Sequence, residues 1–122
     1  MKKTRRIIAI LLIAVLTICL AGCVGTEELQ QNSVNLEFRN KALLSEHFEK
    51  HGEEFPYSSE EEYLAGANRA LSNPNILHKT EKEDGDDVYY LEATNEFLIV
   101  SKDGYIRTYF KPRKGMEYYN KQ

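Results

Sequence analysis

The chain has few cysteines, prolines and tryptophans, which stabilise small domains by disulfides, by a rigid backbone and by a large buried side chain. It has no tryptophan, three prolines and two cysteines among its 122 residues. Both cysteines, Cys19 and Cys23, lie near the start, so no disulfide can staple the rest of the chain. The longest apolar run, residues 7–20, has 14 positions, and a membrane-spanning helix needs about 20. The fold must therefore depend on packing, with eight tyrosines and five phenylalanines as its main large side chains.

The first 23 residues carry the most specific pattern. The first six residues contain four cations and no acid, the apolar run follows, and Leu20-Ala21-Gly22-Cys23 closes the segment. This order is typical of a secretory signal peptide, and the last four residues resemble a bacterial lipoprotein signal. The resemblance implies that residues 1–22 are removed and that the Cys23 thiol carries a diacylglycerol. We therefore expect a lipid-anchored protein on the extracytoplasmic face of the cell membrane, without a cofactor.

The composition beyond the signal indicates one small domain on a tether. Residues 23–35 are polar and read as the lipidated cysteine and its tether, and residues 36–122 as the domain. Removal of the signal takes away four of the 16 basic residues. The remaining 12 basic and 19 acidic residues give a net charge of −7. Residues 27–96 carry −11 and residues 102–122 carry +4. Such a protein repels nucleic acid at long range, but its C-terminal segment can hold a phosphate.

Two helices are predicted before the first strand. The first runs from Leu36 to His51, and Gly52 suits a left-handed residue after its end. The second starts at Ser59, where Glu62 completes a capping box, and it ends before Pro74. The apolar stripes comprise Ala42, Leu43, Leu44, His47, Phe48 and His51 in the first helix, and Tyr63, Leu64, Ala67 and Leu71 in the second.

The remainder has the pattern of an antiparallel sheet. Strands are expected at 76–80, 88–91, 97–100 and 105–110, with an Asp103-Gly104 hairpin turn before the last. The continuous apolar run 97–100 favours a central strand. The predicted fold class is α+β, with two N-terminal helices packed on one face of a small three- or four-stranded antiparallel sheet.

Two histidines on the first helix are the leading candidates for chemistry. His47 and His51 lie four residues apart and so share a helical face. That spacing allows both histidines to bind one metal ion. Zinc proteases, however, have glutamate directly after the first histidine or directly before the second, and this chain has Phe48 and Lys50 at those positions. A polar role at the edge of a helix interface is the alternative. We expect no metal site and consider proton transfer instead.

The last strand supplies cations and hydroxyls. Arg107 and Lys111 alternate on one face with Tyr105 and Tyr109. The opposite face is expected to carry Ile106, Thr108 and Phe110, so Thr108 must act from that face or through a bulge. Histidines with cations and hydroxyls suit metal-free RNA cleavage, in which a base takes the 2′-OH proton and cations stabilise the charged phosphorane. Ordinary surface charge explains Arg107 and Lys111 equally well.

A family resemblance covers His47 to Pro112. The strings are His-Phe-Glu-Lys-His-Gly-Glu-Glu-Phe from His47, Ser-Glu-Glu-Glu-Tyr-Leu from Ser59, Thr-Asn-Glu-Phe from Thr94, and Asp-Gly-Tyr-Ile-Arg-Thr-Tyr-Phe-Lys-Pro from Asp103. In this order they resemble bacterial toxin RNases of the barnase–EndoU–colicin–RelE type, above all colicin D-like domains and the C-terminal tips of contact-dependent inhibition toxins. The resemblance implies metal-free cleavage of RNA, often transfer RNA.

The same resemblance assigns roles to individual residues. His51 matches the family's best candidate for proton transfer, and His47 matches the histidine upstream of it. Arg107, Thr108 and Lys111 match the strand that faces the scissile phosphate. The site predicted from the sequence thus has His51, His47 and Thr108 as catalytic residues and Arg107 and Lys111 as phosphate-binding residues. The chain departs from the family at Ala93, where proline or lysine is usual, and in its acidity and its lipid.

Two other functions remain open on the sequence. A non-catalytic surface lipoprotein could serve as an interaction, exclusion or immunity factor of a mobile element, with an immunity or conjugation protein as partner. Its contact surface would be the tyrosine-rich C-terminal hairpin. A cation-binding or solute-binding lipoprotein would use the acidic loop 81–87, which lacks the ligand spacing of an EF-hand.

The lipid anchor gives the first testable prediction. In a bacterial host, the wild-type chain should have the mass of residues 23–122 plus lipid and should fractionate with membranes. Cys23→Ser removes the thiol that takes the lipid, so the variant should show no added acyl mass. Mass spectrometry of membrane and soluble fractions measures both. A wild-type chain that keeps its signal and lacks lipid would contradict the prediction.

Overall fold

The computed structural model describes residues 33–122. The predicted signal, Cys23 and tether residues 23–32 lie outside the described residues. The described part has α+β architecture with a four-stranded antiparallel sheet, as expected. No helix in this part is long and apolar enough to cross a membrane. In chain order the elements are α1 (Lys41–His51), α2 (Glu60–Leu71), β1 (Leu77–Thr80), β2 (Asp87–Leu91), β3 (Glu96–Val100), β4 (Ile106–Phe110) and α3 (Met116–Asn120), with 3₁₀ turns at Gly52–Glu54 and Glu92–Thr94.

The start of α2 follows from its capping residues. The Ser59 hydroxyl accepts a hydrogen bond from the Glu62 N–H at 3.1 Å, and the Glu62 carboxylate accepts from the Ser58 N–H at 2.8 Å. These hydrogen bonds from Ser58 lower the pKa of Glu62. The bond to the Ser59 hydroxyl satisfies an amide that the helix start leaves unpaired, whereas the Glu62 carboxylate bonds Ser58 and not the Ser59 N–H of a capping box. The predicted cap at Ser59 is therefore confirmed.

The first helix starts later than predicted. It begins at Lys41, and the Asn40 side chain caps it by accepting from the Leu43 N–H at 2.9 Å. Residues 36–38 are not helical because residues of α2 and β4 form hydrogen bonds with their backbone groups. Asn68 of α2 bonds both the N–H and the C=O of Leu36, at 2.7 and 2.9 Å, and the Glu37 carbonyl accepts from the Ile106 N–H at 2.9 Å. The prediction of helix from Leu36 was wrong because these partners are distant in sequence.

Two further details differ from expectation. Val34, placed in the tether by the sequence, donates its N–H to the Ser72 hydroxyl at 3.0 Å and packs against the core. The fold thus includes the end of the predicted tether. Gly52 has φ −57°, so its expected left-handed conformation was wrong. A Cβ at Gly52 would crowd the Phe48 ring, so lack of space explains the glycine there.

The sheet is a meander in the order β1-β2-β3-β4. Its β3 strand lies between β2 and β4, which confirms the central position predicted for the 97–100 run. One face packs on the helices through residues that include Leu98, Val100 and Tyr109. The other face packs under α3 through Val88, Tyr90, Phe97 and Tyr119. Helices therefore cover both faces, whereas the sequence placed them on one, because α3 lies in a short segment that has no helix signal.

A buried polar cluster joins β4 to β3 and α2. The Tyr109 hydroxyl donates to Glu96, and the Tyr63 hydroxyl donates to the Tyr109 carbonyl. Thr94 donates to the second Glu96 oxygen. Burial and then the hydrogen bond to Glu96 raise the pKa of Tyr109, so its hydroxyl keeps its proton. Tyr63 and Tyr109 are fully buried, and the cluster holds the edge strand against the core.

Gly66 lets the Tyr57 ring pack closely against α2. A Cβ at this buried position would overlap the ring. Gly66→Ala gains helix propensity but overpacks this contact, so we expect it to destabilise the fold by about 1–2 kcal/mol in urea unfolding. In a Tyr57→Leu background the same change should be neutral or stabilising. Equal losses in both backgrounds would contradict this explanation.

Candidate active site

The two predicted histidines lie beside the edge strand β4. Helix α1 packs along this strand. The His47 ring lies 5.2 Å from Phe38, and the His51 ring stacks on Phe110 at 5.1 Å. The two imidazole rings are 6.2 Å apart between centroids. The structure thus brings both histidines next to the strand that carries the predicted phosphate-binding residues.

His51 and Glu54 form a hydrogen-bonded pair. His51 Nδ1 lies 2.5 Å from Glu54 Oε2, and the side chains are 16% and 31% exposed. Glu54 Oε1 accepts from the Lys111 N–H at 2.9 Å, so both carboxylate oxygens are held. Because a carboxylate only accepts, Nδ1 carries the proton and Nε2 is left for another partner. This arrangement fixes the orientation of an imidazole that can take or give a proton.

His47 occupies a drier position one turn earlier. Its Nδ1 atom is buried and has no hydrogen-bond partner among the described residues. Burial, followed by the charge of His51, lowers the pKa of His47 below the ordinary 6.5. The ring is therefore neutral at neutral pH, which is the form that accepts a proton.

Arg107 is anchored by a buried carboxylate. Its guanidinium donates to Asp86, whose side chain is only 7% exposed, while the Arg107 side chain is 57% exposed. The hydrogen bond that Arg107 donates to Asp86 is the main cause of the raised pKa of Arg107. A guanidinium has five N–H donors. Asp86 thus orients the group and leaves donors free for a phosphate.

Lys111 and Thr108 lie on either side of β4. The Lys111 ammonium lies 5.2 Å from the Phe55 ring centre, on the helix side. Thr108 pairs with Ile99, which packs with the cluster under α3. Phe110 is on the same face as Thr108, and alternate residues of a strand are about 7 Å apart. Since His51 stacks on Phe110, Thr108 lies near the His51 end of the site without sharing the Arg107 face.

A bulge in β4 changes the predicted faces. The pairing passes from Ile99–Thr108 to Val100–Ile106, so Arg107 is the extra residue. Ile106 consequently packs in the same core as Tyr109. The prediction that Ile106 shares a face with Thr108 and Phe110 was wrong. A bulge cannot be derived from strict alternation along one strand.

A cleft opens next to His47 at the β3–β4 hairpin. Its volume is about 780 Å³. The charged and titratable residues of its lining are Arg39, His47, Asp86, Lys102, Asp103, Tyr105 and Arg107. His47 and Arg107 therefore face one space large enough for a small anionic ligand.

The acidic loop gathers carboxylates, as the cation-binding hypothesis requires. Oxygens of Glu81, Asp84 and Asp86 lie within 4.8 Å of one another. Asp86, however, is already paired with Arg107. The third histidine, His78, lies on β1, where it bonds Asp87 at 2.7 Å and stacks on Tyr89 at 4.6 Å. His78 thus contacts the last residue of the acidic loop, whereas His47 and His51 lie beside β4.

Sequence reasoning missed three residues that shape the site. Glu54 follows His51 by three positions, a spacing that brings side chains together over one helical turn, so its role had a local signal. Phe110 was correctly predicted to lie at the end of the last strand, but its contact with His51 was not expected. Asp86 had no signal near Arg107, because only the fold brings the loop before β2 to β4.

Comparison of the chain with protein-family models finds no match. Comparison with curated proteins also finds none. The resemblance to toxin RNases therefore stays a prediction from the sequence, and function must be argued from the geometry.

The lowered pKa of His47 predicts a pH dependence of stability. The unfolded chain binds the His47 proton more readily than the folded chain, so stability falls as pH decreases through 6.5 and levels off below the folded pKa. His47→Gln removes this contribution. The loss of urea midpoint between about pH 7.5 and about pH 5.5 should be smaller in the variant. Equal losses in the variant and the wild type would contradict the assignment.

Proposed function

We propose that this protein is a lipoprotein, anchored through Cys23 outside the cell membrane, whose domain cleaves RNA without a metal ion. The observation that carries the proposal is the His51–Glu54 pair, in which Nδ1 meets the carboxylate at 2.5 Å. A histidine oriented by a carboxylate beside a second, neutral histidine provides both partners for proton transfer. The resemblance to toxin RNases supports the same reaction.

The proposed reaction is a transesterification at phosphorus. His47 takes the proton of a ribose 2′-OH, and the 2′-oxygen forms a bond to phosphorus. The bond from phosphorus to the 5′-oxygen breaks, and His51, which enters the reaction as an imidazolium with protons on both nitrogens, gives that oxygen its Nε2 proton and keeps the Nδ1 proton hydrogen-bonded to Glu54. The products are a 2′,3′-cyclic phosphate and a 5′-hydroxyl end. The ring separation of 6.2 Å lets both histidines approach one phosphodiester.

Arg107 of β4 and Lys111, which directly follows this strand, would stabilise the charged intermediate. Arg107 faces the same cleft as His47 and is oriented by Asp86. Lys111 donates its N–H to Glu54, so its side chain starts beside His51. Fixed cations near the developing charge lower the barrier because they need no reorganisation during the reaction. Thr108, on the Phe110 face, is assigned a hydrogen bond to the substrate from that side.

The non-catalytic alternative needs an exposed contact surface. That hypothesis relied on the tyrosine-rich C-terminal hairpin as a contact surface. Tyr109 and Tyr119 are instead buried in the two cores, and only Tyr105 of the hairpin is exposed. The buried side chains of Tyr109 and Tyr119 therefore stabilise the fold and are not available to a partner.

RNA cleavage by the full-length protein in detergent tests the proposal. Transfer RNA with a labelled 5′ end is incubated in EDTA, and products are resolved on a denaturing gel. The wild type should cleave, and His51→Ala should lower kcat on the order of 10²–10⁴-fold, because it loses one proton-transfer partner. Glu54→Gln should keep KM and lower kcat on the order of 100-fold, because the imidazole loses its orientation.

The controls separate catalysis from folding. His78→Gln changes a histidine on the opposite edge strand and should cleave like the wild type. Thr108→Ser should retain activity that Thr108→Val loses, since only the first keeps a hydroxyl. Urea midpoints show whether each variant folds. Intact RNA with the wild type, or equal cleavage by the wild type and a folded His51→Ala, would refute the proposed function.

A further inference from the structure

The cleft beside His47 has an excess of positive charge in an acidic protein. The chain carries a net charge of −3, yet Arg39, Lys102 and Arg107 line this cleft against the carboxylates of Asp86 and Asp103. Both carboxylates bind an arginine of the same cleft. One positive charge remains unbalanced in the lining, so the cleft favours an anion. Its volume of about 780 Å³ admits an anion of nucleotide size.

An exposed aromatic surface borders the same cleft. Tyr105 is 36% exposed, one of two large hydrophobic side chains of the described residues with such exposure. The Arg39 guanidinium lies over its ring, 4.4 Å from the centroid. Arg39 Nη2 is also 2.9 Å from both Asp103 oxygens, and the Ser101 hydroxyl donates to Asp103 at 2.6 Å. These contacts hold a planar cation and a planar ring together at the surface.

We propose that the Tyr105–Arg39 pair is a stacking platform for one base of single-stranded RNA, and that the adjoining phosphate binds at Arg107. Bases stack on aromatic rings and on guanidinium planes, and such platforms in cationic grooves are a general means of holding single strands. The platform and His47 line one cleft. A strand that stacks there therefore shares the cleft with His47.

This subsite deepens the proposed function and rests on it for the identity of the strand. It adds a specific claim, that affinity depends on a base as well as on phosphate. A site for free phosphate would use Arg107 and Lys102 and would not need Tyr105. The dependence on Tyr105 therefore distinguishes a nucleotide from a simple anion.

Binding of an uncleavable strand tests the subsite separately from the reaction. The probe is a fluorescein-labelled 2′-O-methyl uridine hexanucleotide, which lacks the reactive 2′-OH. Its Kd for the full-length protein in detergent is measured by fluorescence anisotropy, with inorganic phosphate as competitor. Tyr105→Ala should raise Kd about tenfold because one base loses its stacking partner. Tyr105→Phe keeps the ring and should bind like the wild type.

Leu77→Ala provides the matched control. Leu77 is the other exposed large hydrophobic residue, at 37%, and it lies on β1, the opposite edge of the sheet. Its truncation should leave Kd unchanged. Urea midpoints show whether the Tyr105 variants fold. If the alanine variant does not, Tyr105→Leu, which removes the ring and keeps apolar bulk, tests the same contact.

The possible outcomes separate the subsite from the reaction. Binding that requires the Tyr105 ring supports the subsite, and if the wild type then fails to cleave RNA, only the proposed reaction is refuted. Binding that is equal in wild type and a folded Tyr105→Ala, or that phosphate displaces with no dependence on Tyr105, overturns the subsite while the cleavage assay decides the reaction. Absence of binding by the wild type also overturns it.

Discussion

The position of Tyr109 in the edge strand determines how the candidate site is assembled. Its hydroxyl donates to the buried Glu96, and its carbonyl accepts from Tyr63. Its ring stacks on Phe55 at 4.5 Å. One residue thus ties β4 to β3, to α2 and to the segment after α1. Strand β4 pairs with β3 on one side, and on its other side only a single bridge, between Phe38 and Ile106, is formed within residues 33–122, so these contacts add the support that an edge strand lacks.

The same anchorage accounts for the geometry at His51. Because Phe55 packs on Tyr109, the preceding 3₁₀ turn Gly52–Glu54 is held beside the end of β4. Glu54 then meets the Lys111 N–H with one oxygen and His51 with the other. The catalytic orientation proposed for His51 therefore depends on aromatic packing in the core. Changes in that core would alter proton transfer without touching either histidine.

Much of the architecture was predictable because its signals are local. Ser59 and Glu62 define a helix start within four residues, and the Asp103-Gly104 turn and apolar run 97–100 define a hairpin and a central strand. The wrong predictions concern contacts between distant residues. Asn68 draws Leu36 away from the helix, and the bulge at Arg107 appears only in the pairing with β3. The histidine face was visible from spacing, whereas Asp86 reaches Arg107 only through the fold.

The acidity of the chain, at first sight a difficulty for an RNA-binding protein, has a structural use. Each of three positive or protonatable groups near the cleft has its own carboxylate: Glu54 at His51, Asp86 at Arg107 and Asp103 at Arg39. A paired cation binds phosphate less strongly than a free one, but its direction is fixed before the ligand arrives. Affinity from such a site depends less on summed positive charge and more on stacking and aligned donors. Long-range repulsion then limits capture of duplex nucleic acid, while a single strand that reaches the cleft still finds preoriented partners. Under the proposed function, this balance favours an unpaired segment of RNA as the substrate.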